Sequence, residues 1–81
     1  MAIKVKVFAI LKDIFGRDEF DLQVSEGITC QEAFTLLKNE CEDSRIILER
    51  SLIAINGKYA EPHCKLLAGD ELAILPPVSG G

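Results

Sequence analysis

At 81 residues the chain makes one small domain that buries only a little over ~60% of its unfolded surface, so no roomy internal catalytic cavity is expected. Hydrophobic residues at 48% beside charged ones at 27% describe a soluble globular chain, and a net charge of −4 argues against nucleic acid as a partner, because phosphate binding needs clustered lysine and arginine. No apolar run nears the ~20 residues of a membrane span and Met1-Ala2-Ile3-Lys4 opens no signal-peptide core, so no membrane is expected as a partner and the cytoplasm is the expected location.

Ile3, Val5 and Val7 alternate with Lys4 and Lys6, the period of a strand with one buried and one wet face, and this strand is expected to run to about Ile10. Leu11 to Phe15, followed by Gly16, reads as a short helical turn closed by a glycine able to take positive φ. Phe20, Leu22 and Val24 alternate with Asp21 and Gln23 and predict a second strand. Thr29 and Glu32 form a capping box, in which each side chain satisfies a backbone donor left open at a helix start. Behind it, Cys30, Ala33, Phe34, Leu37 and Cys41 recur at three- and four-residue steps, the stripe of the main helix. A short second helix is predicted within Cys41 to Arg50.

Leu52 to Ile55 is an apolar strand, and Asn56-Gly57 turns it back into Lys58-Tyr59-Ala60, since both turn positions must accept positive φ. A further turn at Gly69-Asp70 leads into the last strand, Glu71 to Leu75, which Pro76 ends by withholding a backbone donor. This order packs as an α+β chain: a β-grasp, or ubiquitin-like, roll with a mixed sheet on one main helix, and first and last strands parallel at the centre. The domain is expected over residues 1–75, with an extended tail over 76–81. In the last strand Leu72 and Ile74 point one way while Ala73 and Leu75 point the other, and one helix covers only one face. The second apolar face, with Phe8 beside it, therefore predicts a partner surface.

Cys30, Cys41 and Cys64 are odd in number and lack C-x-x-C spacing, which fits reduced thiols rather than a disulfide framework or a zinc ribbon. His63 beside Cys64 finds no second ligand pair for a metal, and one histidine without a neighbouring nucleophile motif does not make a triad.

The tail, Pro76-Pro77-Val78-Ser79-Gly80-Gly81, has two prolines that favour extended backbone and two glycines narrow enough to thread a tight passage, and it can reach roughly 20 Å. Such an ending is either a frayed terminus or a lead that delivers the Gly81 carboxylate into another protein. With a pKa near ~3.5 that carboxylate is an anion at neutral pH and a poor electrophile, so it reacts only after a partner activates it. ATP-dependent adenylation would then open it to sulfide or a persulfide, giving a thiocarboxylate, or to a lysine, giving an isopeptide.

The stretch Gly69-Asp70-Glu71 through Pro76-Pro77-Val78-Ser79-Gly80-Gly81 resembles the terminal signature of the MoaD branch of the MoaD/ThiS sulfur carriers, the small subunits of molybdopterin synthases. Ile3-Lys4-Val5 to Phe8-Ala9, Leu11-Lys12-Asp13 with Gly16, and Ala54-Ile55-Asn56-Gly57 are similar to that family's opening and middle segments. The resemblance implies that a ubiquitin-activating-like enzyme uses ATP to adenylate Gly81, that a thiocarboxylate follows, and that the chain itself binds no cofactor. It further implies that the tail enters a large synthase subunit, in a heterotetramer of two small and two large subunits, and donates sulfur to a cyclic pterin phosphate to form the molybdopterin dithiolene. The family's docking positions fall on Phe8, Tyr59 and Leu75, with Pro76, Pro77, Val78, Ser79 and Gly80 as the inserted lead. Val7, Lys12 and Ile74-Leu75 depart from the family's commoner aromatic, arginine and phenylalanines while keeping apolarity and charge. Other roles on this fold are sulfur carriage for thiamine, cysteine or tRNA thiolation, lysine-linked protein modification, and a plain interaction domain with an inert tail.

Overall fold

Ile3, Val5 and Val7 of β1 (Ala2–Val7) are buried and Lys4 and Lys6 face outward, as their alternation dictates. The computed structural model describes residues 1–77. β1 ends three residues sooner than the expected Ile10, because Phe8 and Ala9 already serve the next element: their carbonyls accept from Leu11 N–H and Lys12 N–H at 3.1 and 3.0 Å. Ala9 takes φ +52° to make that reversal, and α1 (Ile10–Phe15) follows, closed by Gly16 at φ +75°. β2 (Glu19–Gln23) then pairs antiparallel with β1.

The predicted capping box forms in full at the start of α2 (Cys30–Glu40): Thr29 Oγ1 accepts from Glu32 N–H at 3.2 Å and Glu32 Oε1 accepts from Thr29 N–H at 3.0 Å. Two more open donors of that first turn, Cys30 N–H and Gln31 N–H, reach the carbonyls of Cys64 and Pro62, both at 2.9 Å. The end of α2 therefore has protein partners beyond its own side chains. After it the chain makes a 3₁₀ turn (Glu42–Ser44) and a short α3 (Arg45–Glu49), so the predicted second helix is present, beginning as a tighter coil. Cys41 lies just past α2 as its C-cap, half-buried, rather than on its stripe.

β3 (Leu52–Ile55) turns at Asn56-Gly57, with φ +50° and +87°, into β4 (Lys58–Tyr59), and β5 (Glu71–Leu75) closes the sheet. Strand order is β2-β1-β5-β3-β4, with β1 and β5 parallel and the other pairs antiparallel. This is the β-grasp roll the element order predicted. Cys30, Ala33, Phe34 and Leu37 of α2 join Ile3, Val5, Val7, Leu72 and Ile74 in one buried cluster, so the helix stripe and one sheet face make a single core. No helix among the described residues is long and apolar enough to cross a membrane.

Sequence patterning does not reveal the polar clasp between the β3–β4 turn and the start of β5. Asn56 Nδ2 donates to Asp70 Oδ1 and Asn56 Oδ1 accepts from Glu71 N–H, both at 2.9 Å. Asp70 Oδ2 accepts from Leu67 N–H at 2.8 Å, so one side-chain pair fixes two turns and the entry of the central strand.

Candidate functional site

Because β5 is flanked by β1 on one side and β3 on the other, whatever follows Leu75 leaves from the middle of the sheet. Its outward residues share a face with partners set by register: Leu75 opposite Leu52, and Ala73 opposite both Ala54 and Lys6. Tyr59 stands opposite Ala54 across the hairpin and so belongs to the same face. Phe8 is one residue past the last parallel pair, Val7 with Ile74, which puts it on the outward side of the end where Leu75 lies.

These residues form an apolar half-face. Phe8, Leu52 and Tyr59 are 42%, 60% and 75% exposed, while Leu75 and Pro76 are half-buried and Pro77 is exposed. Large apolar side chains this open, grouped on one side of a small domain, form a patch of the kind that docking surfaces use. A shallow groove continues it along the β3–β4 edge, lined by Leu52, Tyr59, Glu61 and Pro62.

The rest of the outward face is ionic. Lys4 Nζ meets Glu19 at 2.9 Å and Lys6 Nζ meets Glu71 at 3.2 Å. The hydrogen bond and charge of Glu19 hold the Lys4 ammonium above its usual pKa, and Lys4 in turn holds the Glu19 carboxyl below its own. Both pairs are exposed, so they contribute little to stability; their effect is to set a polar boundary to the apolar half.

Of the predicted site residues, the fold brings Phe8, Tyr59 and Leu75 to this one face, and Pro76 and Pro77 continue the chain from it. Val78, Ser79, Gly80 and Gly81 lie outside the described residues. Leu52 belongs to the surface and was not singled out from sequence. Sequence alone carries only half of its signal, that Leu52 and Ala54 share one side of β3; the antiparallel register with β5 supplies the rest, setting them beside Leu75 and Ala73. His63 is exposed, and among the described residues no three His, Cys, Asp or Glu side chains are grouped to hold a metal ion. What the arrangement offers chemically is recognition: an apolar contact surface set around the point from which the tail departs.

The profile of the ThiS family matches residues 5–81. A Dictyostelium discoideum protein named molybdopterin synthase sulfur carrier subunit is 37% identical over 82 residues, covering 96% of this chain and 94% of that protein. Among solved structures, SAMP1 from Haloferax volcanii matches at a TM-score of 0.87 with 27% identity, covering 100% of both chains. A chain in the protein–protein complex of subunits 1 and 2 of the molybdopterin-converting factor from Helicobacter pylori 26695 matches at 0.72 with 26% identity, again covering 100% of both.

Proposed function

We propose that this chain, which belongs to the ThiS family, is the sulfur-carrier subunit of a molybdopterin synthase and catalyses nothing by itself. The observation that carries this reading is the coincidence of the apolar half-face with the tail exit: Phe8, Leu52, Tyr59 and Leu75 surround the strand end from which Pro76 and Pro77 depart. A partner that docks on the face thereby receives the tail in register. Residues 1–75 supply recognition and residues 76–81 supply the reacting group.

The chemistry resides in the Gly81 carboxylate. On an adenylating partner that binds ATP, a carboxylate oxygen attacks the α-phosphorus and pyrophosphate leaves. Sulfide then attacks the acyl carbon, AMP leaves, and a thiocarboxylate remains; a persulfide donor would need one further thiol to release the same product. In the large subunit that sulfur attacks a side-chain carbon of the cyclic pterin phosphate as the C–O bond at that carbon breaks and its oxygen leaves. Hydrolysis of the acyl–sulfur bond then leaves the sulfur on the substrate and returns the carboxylate. A dithiolene holds two sulfurs, so each product consumes two charged carriers. Two small subunits at opposite ends of a large-subunit dimer, in the cytoplasm, complete the assembly. The complex of the two Helicobacter pylori subunits supports such a partner.

A second reading has its own observation. The Haloferax volcanii match includes a small archaeal modifier protein 1 at a TM-score of 0.86, and modification of lysines would use the same activated carboxyl. Intact mass after incubation with an adenylating enzyme, ATP and sulfide separates the two. Exchange of one terminal oxygen for sulfur, followed by dithiolene formation when a large subunit and cyclic pterin are added, is the expected result. Lysine-linked conjugates without a terminal C–S bond would overturn the carrier assignment.

A further inference from the structure

The loop before β5 is fixed against the start of α2 by three backbone hydrogen bonds: Cys30 N–H to Cys64 O at 2.9 Å, Gln31 N–H to Pro62 O at 2.9 Å, and Leu66 N–H to Ile28 O at 2.8 Å. Between them Thr29 and Lys65 form an antiparallel bridge. Beside that isolated bridge the Cys30 N–H bond to Cys64 O holds the two cysteines next to each other, one at the first position of α2 and the other in the loop. A backbone N–H···O bond of this kind keeps the two Cα atoms no more than about 6.8 Å apart, within the roughly 4.4–6.8 Å range of a disulfide.

The two thiols also share surroundings on the core side. Cys30 is fully buried, and Cys64 is half-buried and packed on the same cluster. Cys41 is at the far end of α2 and takes no part. We propose that Cys30 and Cys64 are a dithiol site, closed to an intramolecular disulfide by exchange with a small-molecule disulfide such as oxidised glutathione.

The order of the two exchanges follows from exposure. Cys64, which solvent can reach, attacks the glutathione disulfide and one glutathione thiol leaves. Cys30 then attacks the Cys64 sulfur of the mixed disulfide and releases the second. Two protein thiols are oxidised and one glutathione disulfide is reduced to two thiols, so electrons balance. Burial pushes the Cys30 thiol up, with the nearby Cys64 adding to the shift, so the second step is slow and the mixed disulfide accumulates first. The closed bond ties the helix start to the loop that feeds the central strand, and constrains the unfolded chain across the 30–64 loop. The bond itself uses none of the exposed side chains Phe8, Leu52 and Tyr59, while Pro62 of the clamped loop lines the groove beside Leu52 and Tyr59.

The test is titration of the full chain with oxidised glutathione, read by intact mass, peptide mapping and thermal unfolding. The expected outcome is loss of two hydrogens, a Cys30–Cys64 cross-linked peptide, a free Cys41, and a higher melting temperature that dithiothreitol reverses. The conservative variant Cys64→Ser should show neither the cross-link nor the shift, and Cys30→Ala should stop at a glutathione adduct on Cys64. A terminal glutathione adduct in the unsubstituted chain, a cross-link that includes Cys41, or disulfide-linked dimers would overturn the proposal.

Discussion

At the scale of single residues, a few positions carry demands that their neighbours do not. Ala9 holds φ +52° with ψ −126°, a region that glycine enters freely and alanine does not, and that reversal is what leaves Phe8 outward at the end of β1. Ala9→Gly should therefore raise stability by up to about 1 kcal/mol in urea titration, the relief of strain exceeding the added chain entropy. Asn56 has two duties, a positive φ and the clasp to Asp70 and Glu71. Asn56→Gly keeps the first and loses the second, and should cost about 1 kcal/mol, with Asn56→Ala costing more because it loses both. Leu52 is the sharper test of the binding surface. Leu52→Glu places a charge in the proposed apolar contact and should weaken large-subunit binding at least about tenfold by calorimetry, while folding changes by under about 1 kcal/mol. Undiminished affinity would move the interface elsewhere.

At the scale of elements, the parts that sequence made legible are those with strong local rules. Alternation gave away β1 and β2, Thr29 and Glu32 located the start of α2, and Asn56-Gly57 located the hairpin, because each rule acts within a few residues. The early end of β1 and the outward placement of Leu52 were not legible alone, since one depends on an unfavourable φ at Ala9 and the other on a register with a strand some twenty residues away. The capping box adds a pH signature. Hydrogen bonds from Thr29 hold the Glu32 carboxyl below its ordinary value of 4.5, so the stability it gives is present above that value and is lost as pH falls through the lowered one. Glu32→Gln should flatten this part of the acid limb of a stability–pH curve, and Thr29→Ala should cost about 1 kcal/mol at neutral pH.

At the scale of the whole molecule, the proposed function divides labour between a domain that recognises and a tail that reacts. Removal of Gly81 should abolish sulfur transfer while the melting temperature stays the same, because among the described residues the core cluster is built from residues 1–74. A truncated chain that still transfers sulfur would defeat the assignment. The β-grasp topology was legible from element order, whereas the apolar half-face became a surface only when β1, β5, β3 and β4 were set side by side. The central position of β5 has a mechanical meaning as well. A pull applied along the tail runs parallel to two ladders at once, to Lys4–Val7 on one flank and Leu52–Ile55 on the other, so their bonds are loaded in shear and must rupture together instead of unzipping singly. A partner that grips the tail can tug on it without unravelling the body, and single-molecule stretching between β1 and Pro77 should need a higher rupture force than stretching between the edge strands β2 and β4.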